Sequence, residues 1–324
     1  MRTPLLVALS VCTLAAGGCG AQQILLGTEG AYLFTVMDAL ALPGEDVLLR
    51  ARLQAGDLLR GRAGQVVRFS RDGVLYKAGE TDGDGVAAVT FTPPEPGDYR
   101  FVADVAAAGL PDEPPRPREL LIACRAADAP VVVVDLDKTI VASGFHAVLL
   151  GNPEPMPGSP EVLSRLARDR TVVFLTHRPD YFGPKSKQWL RAQGYPPGPV
   201  LLSTVGGFLK GSGTYKQDAI RSLKQRFKGI AVGIGDKVSD AQAYHDNGLK
   251  AFLIVQVPDD ASADALEQLA DSIKGLPDAV QVVTGWGEIE KALFDAGAYP
   301  RSAIERRLRD LAGERRKTGN TSKP

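Results

Sequence analysis

The sequence predicts an α/β protein, a doubly wound parallel sheet preceded by an all-β sandwich. Two observations predict it. Short apolar runs separated by turn clusters fill residues 24–124, the pattern of sandwich strands. From Val131 onward the period changes. Four- and five-residue apolar runs then alternate with helical patterns, as in βα units whose strands are buried on both faces.

The 324 residues are long enough for two domains. Lys+Arg and Asp+Glu are equal at 38 each, so no global charge points to nucleic acid. Met1 and Arg2 open a weakly positive start, Leu5 to Ala16 is apolar, and Gly17-Gly18-Cys19-Gly20 follows. Residues 1–19 therefore read as an export signal. The small residues before Cys19 resemble a bacterial lipobox, although Ala16 stands where Leu is usual. That resemblance implies a periplasmic or cell-surface protein anchored through a lipidated Cys19, with simple secretion as the alternative. Of the three cysteines, only Cys124 lies in the mature body, which rules out an intramolecular disulfide there.

Within 24–124 the expected strands are Val47–Leu53, Val66–Phe69, Val86–Phe91, Tyr99–Val105 and Leu120–Ala123. Pro43-Gly44-Glu45-Asp46, Arg71-Asp72-Gly73, Asp82-Gly83-Asp84-Gly85 and Pro94–Asp98 supply the turns. Asp82–Gly85 has too few acids for a calcium loop and is expected to be a hairpin turn. Residues 81–86 with Pro96-Gly97-Asp98-Tyr99 resemble bacterial Ig-like domains. The sequence does not give the job of such a domain; a spacer holding the rest of the chain off a membrane is one reading.

The second domain, 128–298, is expected to carry strands at Val131–Val134, Thr171–Leu175, Val200–Leu202, Ile230–Ile234 and Ala251–Val255. Its helices are expected near 159–168, 182–194, 215–228 and 238–247. Residues 299–324 form a basic tail, helical and then disordered, with eight Lys/Arg against three Asp/Glu. A solvated face is the expected reading, and anionic lipid the alternative.

Four segments carry chemistry. Val131–Val134 ends in Asp135-Leu136-Asp137-Lys138-Thr139. Two carboxylates this close repel unless a cation lies between them, and Mg²⁺ favours carboxylate and phosphate oxygens. One Asp can attack phosphorus, and a second can protonate the leaving oxygen. Val172–Leu175 leads to Thr176-His177-Arg178, a hydroxyl and a guanidinium suited to phosphate. Lys216 opens a helix with Ile220, Leu223 and Phe227 on one face; Lys210, in a Gly-rich loop, is its competitor. Val232-Gly233-Ile234-Gly235 ends in Asp236, with Asp240 one turn on.

DxDxT after an apolar strand resembles the signature of HAD phosphotransferases, and the other segments occur in that family's order. The resemblance implies a HAD-like doubly wound sheet with a minimal cap. It implies Asp135 as nucleophile and Asp137 as acid–base. Thr176, Lys216 and Arg178 would bind phosphate, and Mg²⁺ would be held by Asp135, Asp137, Asp236 and Asp240. The wording of 135–256, with Ser186-Lys187-Gln188-Trp189-Leu190, Gly194–Ser203 and Ala243-Tyr244, looks like the lipin-type domain shared by lipin phosphatidate phosphatases and Nir-type phosphatidylinositol transfer proteins. Lys138 stands where lipins usually have Gly, and Asp236 where they often have Asn. The implied reaction is hydrolysis of phosphatidate or a related phosphorylated lipid at a membrane surface. The alternatives are a catalytically silent phosphatidate-binding module and a phosphatase of small soluble phosphomonoesters.

Overall fold

The computed structural model describes residues 31–56, 58–143, 148, 151–204 and 211–320. The export signal, Cys19 and Lys210 lie outside them. Among the described residues no helix is long and apolar enough to cross a membrane.

The chain forms two compact units. Among the described residues, one takes in those up to Ala127 with those within 145–153 and 173–211; the other takes in those within 128–144, 154–172 and 212–320. They do not follow the boundary expected near residues 125–130, because part of the α/β sequence folds with the sandwich.

Among the described residues the first unit contains nine sandwich strands: β1 (Tyr32–Met37), β2 (Ala39–Ala41), β3 (Val47–Ala55), β4 (Arg60–Gly61), β5 (Val66–Arg71), β6 (Val74–Glu80), β7 (Val86–Phe91), β8 (Gly97–Val105) and β9 (Arg118–Cys124). One sheet has the order β1-β3-β4 with β7 also on β3; the other runs β2-β9-β8-β5-β6. Alternation places Leu49, Ala51 and Leu53 inward from β3 and Tyr99, Phe101, Ala103 and Val105 inward from β8, in one shared core. Asp82–Gly85 is a turn: Asp82 Oδ1 accepts from Asp84 N and Val86 N, both at 2.9 Å. It is not the expected hairpin turn, because β6 pairs with β5 and β7 with β3, so it carries the chain between sheets.

The same unit includes most of β11 (Thr171–Pro179), helix α2 (Gly183–Ala192) and β12 (Val200–Ser203). β11 and β12 pair in parallel, Phe174 opposite Val200.

The second unit is built on β10 (Val131–Val134), β13 (Ile230–Gly235), β14 (Lys250–Ile254) and β15 (Gln281–Val283), paired in parallel in that order. Val132–Val134 sit opposite Val232–Ile234. Its helices are α1 (Ser159–Leu166), α3 (Ser212–Arg226), α4 (Val238–Asp246), α5 (Ala263–Ile273), α6 (Trp286–Phe294) and α7 (Arg301–Asn320). The parallel sheet is as expected; β15, α5 and α6 are additions. The basic segment is one helix, and its apolar side is not solvated. Ile304, Leu308 and Ala312 are buried, and Arg309 pairs with Glu267 and Asp271 of α5.

Candidate functional site

β10 and β13 are adjacent and parallel, so their C-terminal ends lie side by side. Open α/β sheets place ligands at such ends. Each strand here ends in an aspartate. Asp135 follows β10, and its backbone N–H donates to Ile234 O of β13 at 2.9 Å. Asp236 follows β13. The chain must turn after Asp135, and Leu136 O anchors that turn by accepting from Ile140 N at 2.9 Å and Val141 N at 3.0 Å. Lys138 sits in the turn at φ 55°, the left-handed region. That conformation explains why glycine suits this position in the lipin-type pattern.

Helix α3 buries Lys216, Ile220 and Leu223, spaced as one helix stripe. The stripe thus begins with a lysine whose side chain is almost wholly enclosed. Its Nζ lies 2.9 Å from Asp135 Oδ2 and 2.5 Å from Asp240 Oδ2. Asp240 stands in the first turn of α4, where the helix dipole favours a carboxylate. Burial alone would lower the Lys216 pKa. The Asp135 and Asp240 carboxylates outweigh it and raise the pKa, so the ammonium stays charged.

Two glycines bring α4 this close. A Cβ on Gly235 would stand 3.0 Å from Asp240 Oδ2. A Cβ on Gly233 would meet the Tyr244 ring at 2.3 Å, so only a bare backbone accepts that ring. Tyr244 is wholly buried, and its hydroxyl has no hydrogen-bond partner among the described residues.

Carboxylate oxygens of Asp135, Asp236 and Asp240 lie within 4.8 Å of one another. Lys216 pairs with two of these carboxylates, Asp135 and Asp240, and Asp236 stands beside that pair. Oδ1 of Asp236 and Oδ1 of Asp240 are buried without a hydrogen-bond partner among the described residues. Desolvation, then the nearby Asp135 and Asp240 charges, push the Asp236 carboxyl up to about 7. An all-oxygen set with unfilled acceptors fits a hard divalent cation such as Mg²⁺.

The structure therefore brings together Asp135, Lys216, Asp236 and Asp240 of the expected set. Asp137 is not among the converging carboxylates; it lies half-buried in the turn, where it bridges to Val141. Thr176 and Arg178 belong to the other unit. Thr176 is 1% exposed, and its Oγ1 accepts from Arg178 N at 3.3 Å. Arg178 is buried as well, and Nη1 donates to Ser186 Oγ at 2.8 Å. Tyr244 and the two glycines were in the motif, but nothing local assigned them their contact. A bulky ring one turn beyond Asp240 was the available signal.

A cluster of carboxylates around a buried lysine thus lies at the C-terminal ends of two parallel strands. The sequence model of one family, described as the LNS2 domain of PITM 1-3, matches residues 132–257. That stretch is under half of the chain and contains every residue of the cluster. No curated protein matches the sequence. Among solved structures, the CARDB domain of PF1109 from Pyrococcus furiosus is 17% identical, covering 30% of this chain and 97% of its own, with a TM-score of 0.23. Fibronectin(III)-like modules of Clostridium thermocellum CbhA are 13% identical over 29% of this chain and 97% of theirs, with a TM-score of 0.21. At such values the fold rests on the strand registers above, not on these likenesses.

Proposed function

We propose that the protein is a Mg²⁺-dependent phosphomonoester hydrolase acting through an aspartyl-phosphate, with phosphatidate or a related phosphorylated lipid as substrate. One observation carries this reading. Asp135, Asp236 and Asp240 converge on one another, two of them pair with buried Lys216, and two of their oxygens have no hydrogen-bond partner among the described residues.

Asp135 and Asp236 would hold the cation, with Asp240 beside them. Bound there, Mg²⁺ would neutralise carboxylate and phosphoryl oxygens as charge develops. Lys216 adds a fixed positive charge 2.9 Å from Asp135 Oδ2. A carboxylate oxygen of Asp135 attacks phosphorus. The bond from phosphorus to the ester oxygen breaks, and Asp137 gives that oxygen its proton. Asp137, now ionised, takes a proton from water. The water oxygen bonds to phosphorus, and the bond to Asp135 breaks, releasing inorganic phosphate. Thr176 is assigned the phosphoryl group by the HAD resemblance. Arg178 is a weaker candidate, since its guanidinium already donates to Ser186.

The lipid substrate is supported by the LNS2 match across 132–257. The same match supports the second reading, a silent phosphatidate-binding module. Asp137 favours the enzyme, because the silent relatives typically lack that acid. Phosphate release from phosphatidate in mixed micelles tests both. Release that needs Mg²⁺ and stops with EDTA supports the enzyme. Binding without release leaves the silent module. Release only from soluble esters overturns the lipid assignment.

A further inference from the structure

We infer that the N-terminal sandwich is a positioning element for the Thr176–Ser186 segment, acting through Asp38 and Arg52, and not a spacer. This rests on the proposal that Thr176 holds the phosphoryl group.

A spacer needs only a covalent linker. Here the sandwich shares a compact unit with β11, α2 and β12. Asp38, between β1 and β2, is the main fastening. Its side chain is 2% exposed. Oδ1 accepts from Leu121 N of β9 at 2.8 Å and from Lys187 Nζ of α2 at 2.5 Å. Oδ2 accepts from Val200 N of β12 at 3.0 Å. Lys187 also donates to Glu119 O at 3.1 Å. One buried carboxylate, in the link between β1 and β2, thus ties strand β9 of the sandwich to a helix and a strand of the α/β sequence. On the surface, Glu119 Oε1 binds Arg191 of α2 at 2.8 Å and Arg100 of β8 at 3.0 Å.

A second fastening acts at the segment itself. Arg52 of β3 lies 3.5 Å from Asp180, whose side chain is 5% exposed. Leu33 of β1 and Phe182 form a small buried cluster with Leu59 and Tyr181.

From these fastenings the path to Thr176 is short. Ser186, beside Lys187 on α2, accepts from Arg178 Nη1 and donates to Phe182 O at 2.9 Å. Ser203 of β12 donates to His177 O at 2.9 Å. Arg178 N donates to Thr176 Oγ1. The hydroxyl is therefore placed by a helix and a strand that the sandwich itself holds. A phosphoryl-holding group displaced by about an ångström costs up to roughly a hundredfold in rate.

The test uses the full chain as Asp38→Ala, Arg52→Ala and Lys187→Met. The last is the milder change, because Asp38 keeps two backbone donors. Amide hydrogen exchange is read by peptide, and phosphate release is read for kcat and half-saturating Mg²⁺. Exchange across 173–203 is expected to rise roughly tenfold or more in Asp38→Ala, and several-fold in the other two, with 230–254 unchanged. The kcat is expected to fall roughly tenfold with half-saturating Mg²⁺ unchanged, since the cation carboxylates lie in the other unit. Unchanged exchange at 173–203 in all three variants overturns the inference. So does equal acceleration at 230–254, or faster local exchange with unchanged kcat. If the unsubstituted chain releases no phosphate, the catalytic proposal fails, and the exchange result alone decides whether the sandwich holds the segment.

Discussion

Replacing Asp236 by Asn should make the metal-free protein more stable, although it removes a proposed metal ligand. Asp236 is pushed up to about 7 from 3.8 by desolvation and by the Asp135 and Asp240 charges. The folded protein therefore holds this proton more tightly than the unfolded chain does. Stability linked to it is fully present below about pH 4 and is lost as pH rises through about 7. At about 1.4 kcal/mol per pH unit the loss reaches roughly 4 kcal/mol, and solvent relaxation makes about 2–4 kcal/mol the working range. Asn carries no charge and can donate to a neighbouring carboxylate, so it escapes the loss. In EDTA near pH 8 the Asp236→Asn unfolding midpoint should rise by roughly 5–10 °C, and near pH 4 the gap should close. Added Mg²⁺ should stabilise the unsubstituted protein and leave the variant unmoved. A variant no more stable than its parent in EDTA near pH 8, or a gap independent of pH, would refute a strained, proton-holding cluster.

Three further substitutions probe the same site. Lys216→Met strands Asp135 and Asp240 without their buried cation and should cost about 3–5 kcal/mol in urea unfolding without metal; a loss under 1 kcal/mol contradicts the role given to the pair. Gly233→Ala drives a methyl into the Tyr244 ring and should cost about 3 kcal/mol or prevent folding, read as lost soluble yield or a lowered midpoint. Lys138→Gly removes a left-handed φ from a side-chain-bearing residue and should stabilise by up to about 1 kcal/mol in the same unfolding assay.

How much was legible in the sequence varied with the range of the interactions. Val131–Val134 and its two carboxylates were legible because a strand buried on both faces reads as an unbroken apolar run. Lys216 was legible as a lysine at the head of an apolar stripe. Strand β6 was missed because it is exposed nearly throughout and shows no alternation. Helix α5 was missed although Ser262 caps it, accepting from Ala265 N at 3.2 Å, a local signal that was present. Asp38 could not be found locally, since its partners Leu121, Lys187 and Val200 stand 83, 149 and 162 residues away. The pairing of Asp240 with Lys216 depends on two bare glycines, whose spacing shows only once β13 and α4 are packed.

The most direct test of the central claim is to look for the phosphoryl group on Asp135. The full chain would be mixed with phosphatidate micelles and Mg²⁺, quenched in acid, and analysed by peptide mass. One added phosphoryl group on the peptide containing Asp135, absent with EDTA and absent in Asp135→Asn, is the predicted result. Phosphate release at a normal rate from Asp135→Asn, or a phosphoryl group trapped on another residue, would contradict it.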